Sequence, residues 1–99
     1  MTDADLLAAL RDCYDPLLRR NIVELNLVRS ATLTPDPDAP GARIVGIPTR
    51  LHAHIELTAP TSDEATNAQL AAQVENRLLG LESISRITIT LSPPLFPIL

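Results

Sequence analysis

Three prolines within seven residues, at positions 35–41, set the first limit on how this chain can fold. Pro35, Pro37 and Pro40 lack the backbone N–H that a sheet ladder uses, and their rings fix φ. Neither a paired strand nor a helix interior is therefore expected to run through this segment. It predicts a loop that is longer than a tight hairpin, with regular structure on either side of it.

Helical periodicity and capping signals predict one helix at the start of the chain and a second one in its later half. Thr2 and Asp5 approximate a capping box, and an Asp-Pro pair ending at Pro16 stops the first helix, because a residue before proline is pushed out of the helical region. Thr61 and Glu64 form a second capping box. The apolar stripe of the first helix is predicted as Leu6, Leu7, Leu10 and Tyr14, and the second helix is predicted to end at Gly80.

Alternating apolar and polar residues predict three strands. They run from about Leu25 to Thr34, from about Ile44 to Thr58 with a bend near Gly46 and Pro48, and from about Ser85 to Leu91. Every strand has one apolar face, so the expected fold is α+β, a two-layer sandwich in the order helix-strand-strand-helix-strand. Both helices are expected on one face of a small sheet. The other face is left for solvent or a partner, and it carries His52, His54, Glu56, Thr88 and Thr90.

The composition excludes several classes of function. The 99 residues predict a single domain over 1–99, and a multi-domain enzyme with its own cofactor domain is not expected. The net charge of −4 and the two aromatic residues disfavour binding to nucleic acid. The apolar runs are far shorter than the roughly 18 residues of a membrane span. With an acidic start and one cysteine, the chain is expected to be cytoplasmic, with no signal peptide and no internal disulfide.

One stretch of the sequence resembles a known family. Residues 10–28 read LRDCYDPLLRRNIVELNLV. This is similar to the opening of the SufT/PaaD-type iron–sulfur cluster assembly domain family, whose members show Tyr-Asp-Pro-Glu followed by Asn-Ile-Val-Asp-Leu-Gly-Leu-Val. Residues 57–60, Leu-Thr-Ala-Pro, resemble the Leu-Thr-Thr-Pro of that family, and the two prolines at 93 and 94 resemble its proline-containing tail. The order of elements also matches along nearly the whole chain.

The resemblance implies a small cytoplasmic factor that helps to build or deliver iron–sulfur clusters through contacts with assembly or recipient proteins. Family members usually carry a cysteine just before the second helix, and the matching position here is Ser62, followed by Asp63 rather than proline. A serine hydroxyl is a poor ligand for cluster iron. Three further positions depart from the family pattern: Leu17, Glu24 and Asn26. The functional surface implied for this cysteine-lacking variant is Asp15, Ser62 and Asp63.

Asp15 and Cys13 also have simpler interpretations. An aspartate before proline commonly forms a turn by accepting a hydrogen bond from its own backbone. A lone cysteine on a short helix is usually a small buried hydrophobe, although Cys13 could supply one ligand to a cluster shared by two copies of the chain. The four thiolates that usually hold a cluster cannot come from a single copy of this chain, which has one cysteine.

His52 and His54 form a His-x-His pair on a predicted strand, so both rings project from one face. Two imidazoles at this spacing can share a divalent metal ion such as zinc, but His-x-His is only a two-ligand signal. Glu56 lies too far from His52 along the strand to converge with it. The alternative interpretation is two half-exposed histidines on a solvated face.

These observations predict a non-enzymatic accessory factor in iron–sulfur (metal–sulfur) cluster assembly that acts by protein–protein contact. One alternative is a divalent-metal-binding protein that uses His52 and His54. Another is a non-catalytic interaction domain on the same fold. No resident cofactor is assigned, although an iron–sulfur cluster or a divalent metal in transit is compatible with these interpretations. The apolar residues at 95–99 are expected to dock on the core or, preferably, to contribute to a homodimer.

Overall fold

The computed structural model describes residues 1–39, 44–46 and 49–93. Its elements, in chain order, are α1 (Asp3–Leu10), β1 (Val28–Pro35), β2 (Leu51–Thr58), α2 (Glu64–Leu79) and β3 (Ile84–Ser92). The sheet has the strand order β1-β2-β3, with β1 antiparallel and β3 parallel to the central β2. The parallel pair is joined by α2, as a crossover connection requires. The predicted α+β class and the element order are confirmed.

The two helices share one face of the sheet. α1 packs on β1, α2 packs on β3, and the helices contact each other. Asp3 ties the start of α1 to β1, because its Oδ1 accepts a hydrogen bond from the N–H of Leu33 at 3.1 Å. The buried side chains come from both helices, from β2 and β3, and from the connection between α1 and β1: Leu6, Leu10, Cys13, Ile22, Ala53, Ile55, Leu57, Leu70, Val74, Leu78 and Ile84.

The first helix begins as predicted but ends earlier. Thr2 and Asp5 form the expected capping box. The helix then stops at Leu10, so the prediction that Tyr14 continues the apolar stripe is wrong. Tyr14 is half exposed, and Cys13 is the residue that enters the core, after the helix rather than on it. The helix ends early because of a tertiary contact: the backbone of Tyr14 is hydrogen-bonded to the side chain of Gln73 on α2 instead of to the preceding turn.

Two strand boundaries differ from the prediction. Residues 22–26 form turns, and Asn26 has a φ of 59°, so β1 begins at Val28 and not at Leu25. At its other end, Pro35 pairs with Leu51 as the last residue of β1, which an edge strand permits. The second strand begins at Leu51, whereas residues 44–46 form a bend and a turn. The predicted bend at Pro48 lies outside the described residues, as does the apolar segment at 95–99.

The second helix begins two residues later than the capping box at Thr61 predicts. Its N-cap is Asp63, whose Oδ2 accepts from the N–H of Thr66 at 3.3 Å. The Thr61 hydroxyl instead accepts from the N–H of Asp63 at 3.2 Å. The helix ends with Gly80 as its C-cap, as predicted. None of the helices in the described ranges is long and apolar enough to cross a membrane.

A polar cluster lies at the end of the sheet where β3 begins. Asp36, which follows β1, is buried and accepts hydrogen bonds from the Ser85 hydroxyl and from Nη2 of Arg86, both at 2.8 Å. The N–H of Asp38 donates to the same carboxylate at 3.1 Å. Arg50 donates to the carbonyl oxygen of Ile84 at 2.7 Å. This cluster links residues in or next to all three strands, and no sequence pattern predicted it.

Candidate functional site

Residues 14–21 form a compact loop, called the 14–21 loop below, which Asp15 organises from inside. A bridge between Tyr14 and Asn21 closes the loop. Asp15 is only 1% exposed, and its Oδ1 accepts from the N–H of Leu17 at 2.8 Å. Its backbone carbonyl accepts from the N–H of Arg19 at 2.8 Å. The turn-forming interpretation of Asp15 is confirmed, and its carboxylate lies beneath the surface.

The 14–21 loop presents apolar side chains to solvent. Leu17 and Leu18 are 64% and 62% exposed, and Tyr14 is half exposed beside them in the sequence. Arg19 adopts a left-handed backbone conformation with a φ of 56°, which costs of order 1 kcal/mol or more for a non-glycine residue. Such backbone strain persists only where surrounding contacts over-determine the conformation. The loop, closed by the Tyr14–Asn21 bridge, carries two neighbouring exposed leucines.

Helix α2 holds this loop in place. The side chain of Gln73 makes two hydrogen bonds to the backbone of Tyr14, at 2.8 and 2.9 Å. Arg77, one turn further along α2, forms an ion pair with Asp12 at 2.9 Å. A side chain amide that pairs with both backbone groups of one residue fixes its orientation as well as its position. Sequence reasoning missed Gln73, because nothing local links two residues that are 59 positions apart.

The start of α2 carries the other two residues of the expected surface. Ser62 is exposed. Asp63 is engaged as the helix cap, and its carboxylate also accepts from the Thr66 hydroxyl at 2.6 Å. These hydrogen bonds from Thr66 lower the pKa of Asp63. The neighbouring Asn67 donates to the carbonyl oxygen of Thr61 at 2.9 Å, while its own Oδ1 is buried without a partner among the described residues.

The expected surface residues occupy two separate hydrogen-bond networks. Asp15 bonds within the 14–21 loop, whereas Asp63 bonds within the first turn of α2. No hydrogen bond within the described ranges joins Asp15 to Ser62 or Asp63. What the structure does bring together, through Gln73, is the 14–21 loop and the middle of α2.

On the outer face of the sheet, His52 and His54 lie side by side on β2. Their ring centroids are 3.9 Å apart and their planes are inclined by 33°. Nε2 of His52 is 2.7 Å from the Thr88 hydroxyl on β3, and Nε2 of His54 is 3.0 Å from the Thr34 hydroxyl on β1. The pKa of His52 is lowered, first by its partial burial and then by the nearby charges of His54 and Arg86.

Cys13 is fully buried next to the 14–21 loop. Burial raises the pKa of its thiol, and neighbouring Asp12 acts in the same direction, while Arg77 opposes them. The thiolate that would bind a metal is thus disfavoured. Within the ranges that the structure describes, no group of three or more His, Cys, Asp or Glu side chains is arranged to hold a metal ion.

Comparison with known proteins finds similarity in solved structures. No protein-family model matches the chain. No curated protein matches it either. The structure of a domain of unknown function, DUF59, from Bacillus anthracis aligns with a TM-score of 0.70 at 23% identity, over 95% of this chain and 78% of that one. At this identity the likeness shows the fold alone.

A second similar structure carries a functional description. Rv1466 from Mycobacterium tuberculosis, a protein associated with Fe-S complex assembly and repair, aligns with a TM-score of 0.58 at 25% identity. The alignment covers 95% of this chain and 71% of that protein. The fold of this chain is thus shared with a DUF59 domain and with a protein linked to iron–sulfur assembly.

Proposed function

We propose that this chain is an accessory factor in iron–sulfur cluster assembly or protein maturation, a member of the DUF59/PaaD-type group that lacks the usual cysteine. The observation that carries the proposal is its similarity to Rv1466 over 95% of its length. The motifs at residues 10–28 and 57–60 support it independently, because they are features of sequence rather than of fold. The factor would act in the cytoplasm, on assembly or recipient proteins.

The proposed mode of action is protein–protein contact through the 14–21 loop. Exposed apolar side chains on a rigid support are suited to binding, because little conformational entropy is lost when they dock. Leu17 and Leu18 meet this description, and Asp15 supports them from beneath. Ser62 adds a polar contact at the start of α2. Asp15 therefore contributes by shaping the surface rather than by touching the partner.

The donor set of the described residues favours contact over cluster carriage. A cluster is usually held by four cysteine thiolates, and this chain has one cysteine. That cysteine is buried with a raised pKa, and the hydroxyl of Ser62 stands where the family has its thiol. The chain would then assist proteins that hold the cluster themselves.

The proposal is tested in cells of the source organism from which the gene is deleted. The specific activity of a 4Fe–4S dehydratase is measured, together with the amount of its polypeptide by immunoblotting. We expect activity to fall at constant polypeptide, and wild type to restore it. Leu17→Asp combined with Leu18→Asp should fail to restore it. Val45→Asp, at a 99% exposed apolar residue in the β1–β2 connection, is the matched control that should restore it.

Two outcomes separate the proposal from its alternatives. Full dehydratase activity in the deletion strain would favour a non-catalytic interaction domain on the same fold, with no role in cluster assembly. Restoration by the double leucine variant would retain the assembly role but remove the 14–21 loop as the docking surface.

A homodimer is part of the proposal as well. Sedimentation velocity of wild type and of Phe96→Glu tests it.

A further inference from the structure

His52 and His54 converge above the sheet more closely than their positions on the strand require. Alternate residues of a strand are roughly 7 Å apart at their backbone origins, yet the two ring centroids are separated by only 3.9 Å. We propose that this pair is an open binding site for a late first-row divalent transition-metal ion such as Zn²⁺, Ni²⁺ or Cu²⁺. This site is distinct from any iron–sulfur chemistry, and the proposal stands without the function proposed above.

The spacing of the rings fits two bonds to one ion. Zinc–imidazole bonds are about 2.0–2.1 Å long, which places two nitrogen ligands of a tetrahedral ion roughly 3.4 Å apart. Rings whose centroids lie 3.9 Å apart reach that separation by turning about their second side-chain torsion. That torsion is broad in histidine, and the adjustment is a small one that keeps the hydrogen bonds of Nε2 with Thr88 and Thr34.

The hydrogen bonds on either side of the pair resemble the outer support of a metal site. A ligating histidine almost always donates its second ring N–H to a neighbouring group, which fixes its tautomer and its orientation. The Thr88 and Thr34 hydroxyls lie 2.7 and 3.0 Å from Nε2 of His52 and His54. If each Nε2–H donates to its threonine, each Nδ1 keeps a free lone pair for a metal. Both supporting residues stand on the neighbouring strands and are fixed by sheet register.

The charges around the pair tolerate a cation. Arg86 is paired with His52 in the sheet register, and its ion pairs with Asp36 at 2.8 Å and Asp38 at 3.3 Å offset part of its repulsion of a bound cation. Glu56 is the next outward residue on β2 and is exposed. With two protein ligands, the remaining coordination positions of the ion would be filled by water, as the open position of a catalytic zinc site is.

Imidazole donors determine which ions the site selects. Affinity at nitrogen ligands rises from Mn²⁺ and Fe²⁺ towards Cu²⁺, with Zn²⁺ below copper. Ca²⁺ and Mg²⁺ prefer oxygen ligands and would not compete. We therefore expect Cu²⁺ to bind most tightly, Ni²⁺ and Zn²⁺ to bind detectably, and Fe²⁺ to be retained poorly.

The test uses the full chain without a polyhistidine tag, freed of metal with a chelator. ZnCl₂ is titrated by calorimetry, and the ring signals of both histidines are followed by NMR. We expect a 1:1 complex in which the signals of both rings move together. His52→Ala and His54→Ala should each abolish the binding isotherm, and Thr88→Val should weaken affinity about tenfold, as loss of an outer-shell partner does. Cys13→Ala and Glu56→Gln are controls that should bind as wild type does.

The NMR titration of wild type decides the proposal even if a histidine variant fails to fold. Ring signals that stay in place at saturating Zn²⁺ and Cu²⁺ would overturn it. So would zinc binding that survives in a folded His52→Ala protein or disappears in Glu56→Gln, since either result would locate the ion elsewhere.

Discussion

Gln73 on α2 holds Tyr14 by both of its backbone groups, accepting from its N–H at 2.8 Å and donating to its carbonyl oxygen at 2.9 Å. This pairing fixes the first residue of the 14–21 loop to the helix that follows β2. The exposed leucines are thereby carried by a loop that is hydrogen-bonded to α2. Gln73 thereby connects the 14–21 loop to the middle of α2.

Gln73→Ala should therefore loosen the 14–21 loop. We expect a loss of about 1–2 kcal/mol in the free energy of unfolding, since two hydrogen bonds disappear and water replaces them in part. Amide hydrogen exchange in residues 14–21 should accelerate more than exchange in the sheet. Gln69→Ala is the matched control, with the same residue type exposed on the same helix. Equal effects of the two variants on exchange would argue against the clamp.

Asp15→Ala should lower the free energy of unfolding as well as partner binding. Loss of a residue that only contacts the partner would lower binding alone. The carboxylate is buried, and its removal leaves the partly buried N–H of Leu17 without its acceptor. The expected cost is about 1–2 kcal/mol in urea denaturation. Asp15→Asn keeps an oxygen at Oδ1 and should recover most of the loss. If Asp15→Ala unfolds at the wild-type urea concentration, the carboxylate does not organise the loop.

Sequence patterns were sufficient for the element order because each strand alternates and each helix has an apolar stripe. They failed where a distant contact decides the local structure. Tyr14 continues the spacing of Leu6 and Leu10, but a hydrogen-bond partner 59 residues away removes it from the helix. At the start of α2, Thr61 and Asp63 both satisfy capping rules, and local sequence does not distinguish between them.

The candidate site was predictable to a similar extent. The shared face of His52 and His54 follows from the period of a strand, and the structure adds their two threonine partners. Those partners come from register, which the sequence leaves open. The turn at Asp15 was expected from the following proline. The exposure of Leu17 and Leu18 was not expected, because apolar residues after a turn can lie in a core as readily as on a surface.

Cys13 should behave as an inert core residue. Its burial, with a raised thiol pKa, predicts slow alkylation by iodoacetamide at pH 8 in the native protein and rapid alkylation in urea. Cys13→Ala should be tolerated better than Cys13→Ser, since serine places a hydroxyl in an apolar site. Rapid native alkylation would contradict this. So would an iron–sulfur cluster, reconstituted anaerobically, that forms in wild type and is lost in Cys13→Ala.

Asp36 should make the stability of the sheet depend on pH in the acid range. Hydrogen bonding from the Ser85 hydroxyl, and then from Asp38 N–H and Arg86, lowers the pKa of Asp36 against the opposing effect of burial. A carboxyl with a lowered folded-state pKa stabilises the protein above its unfolded pKa of about 3.9, and this contribution is lost as pH falls through the folded value.

Asp36→Asn should thus be clearly less stable than wild type in urea at pH 7, and the difference should shrink below pH 4. Asp38→Asn, whose exposed carboxylate meets the same Arg86 at 3.3 Å, should change stability little at either pH. A pH-independent difference between wild type and Asp36→Asn would mean that packing at this position, and not the charge of the carboxylate, fastens the three strands.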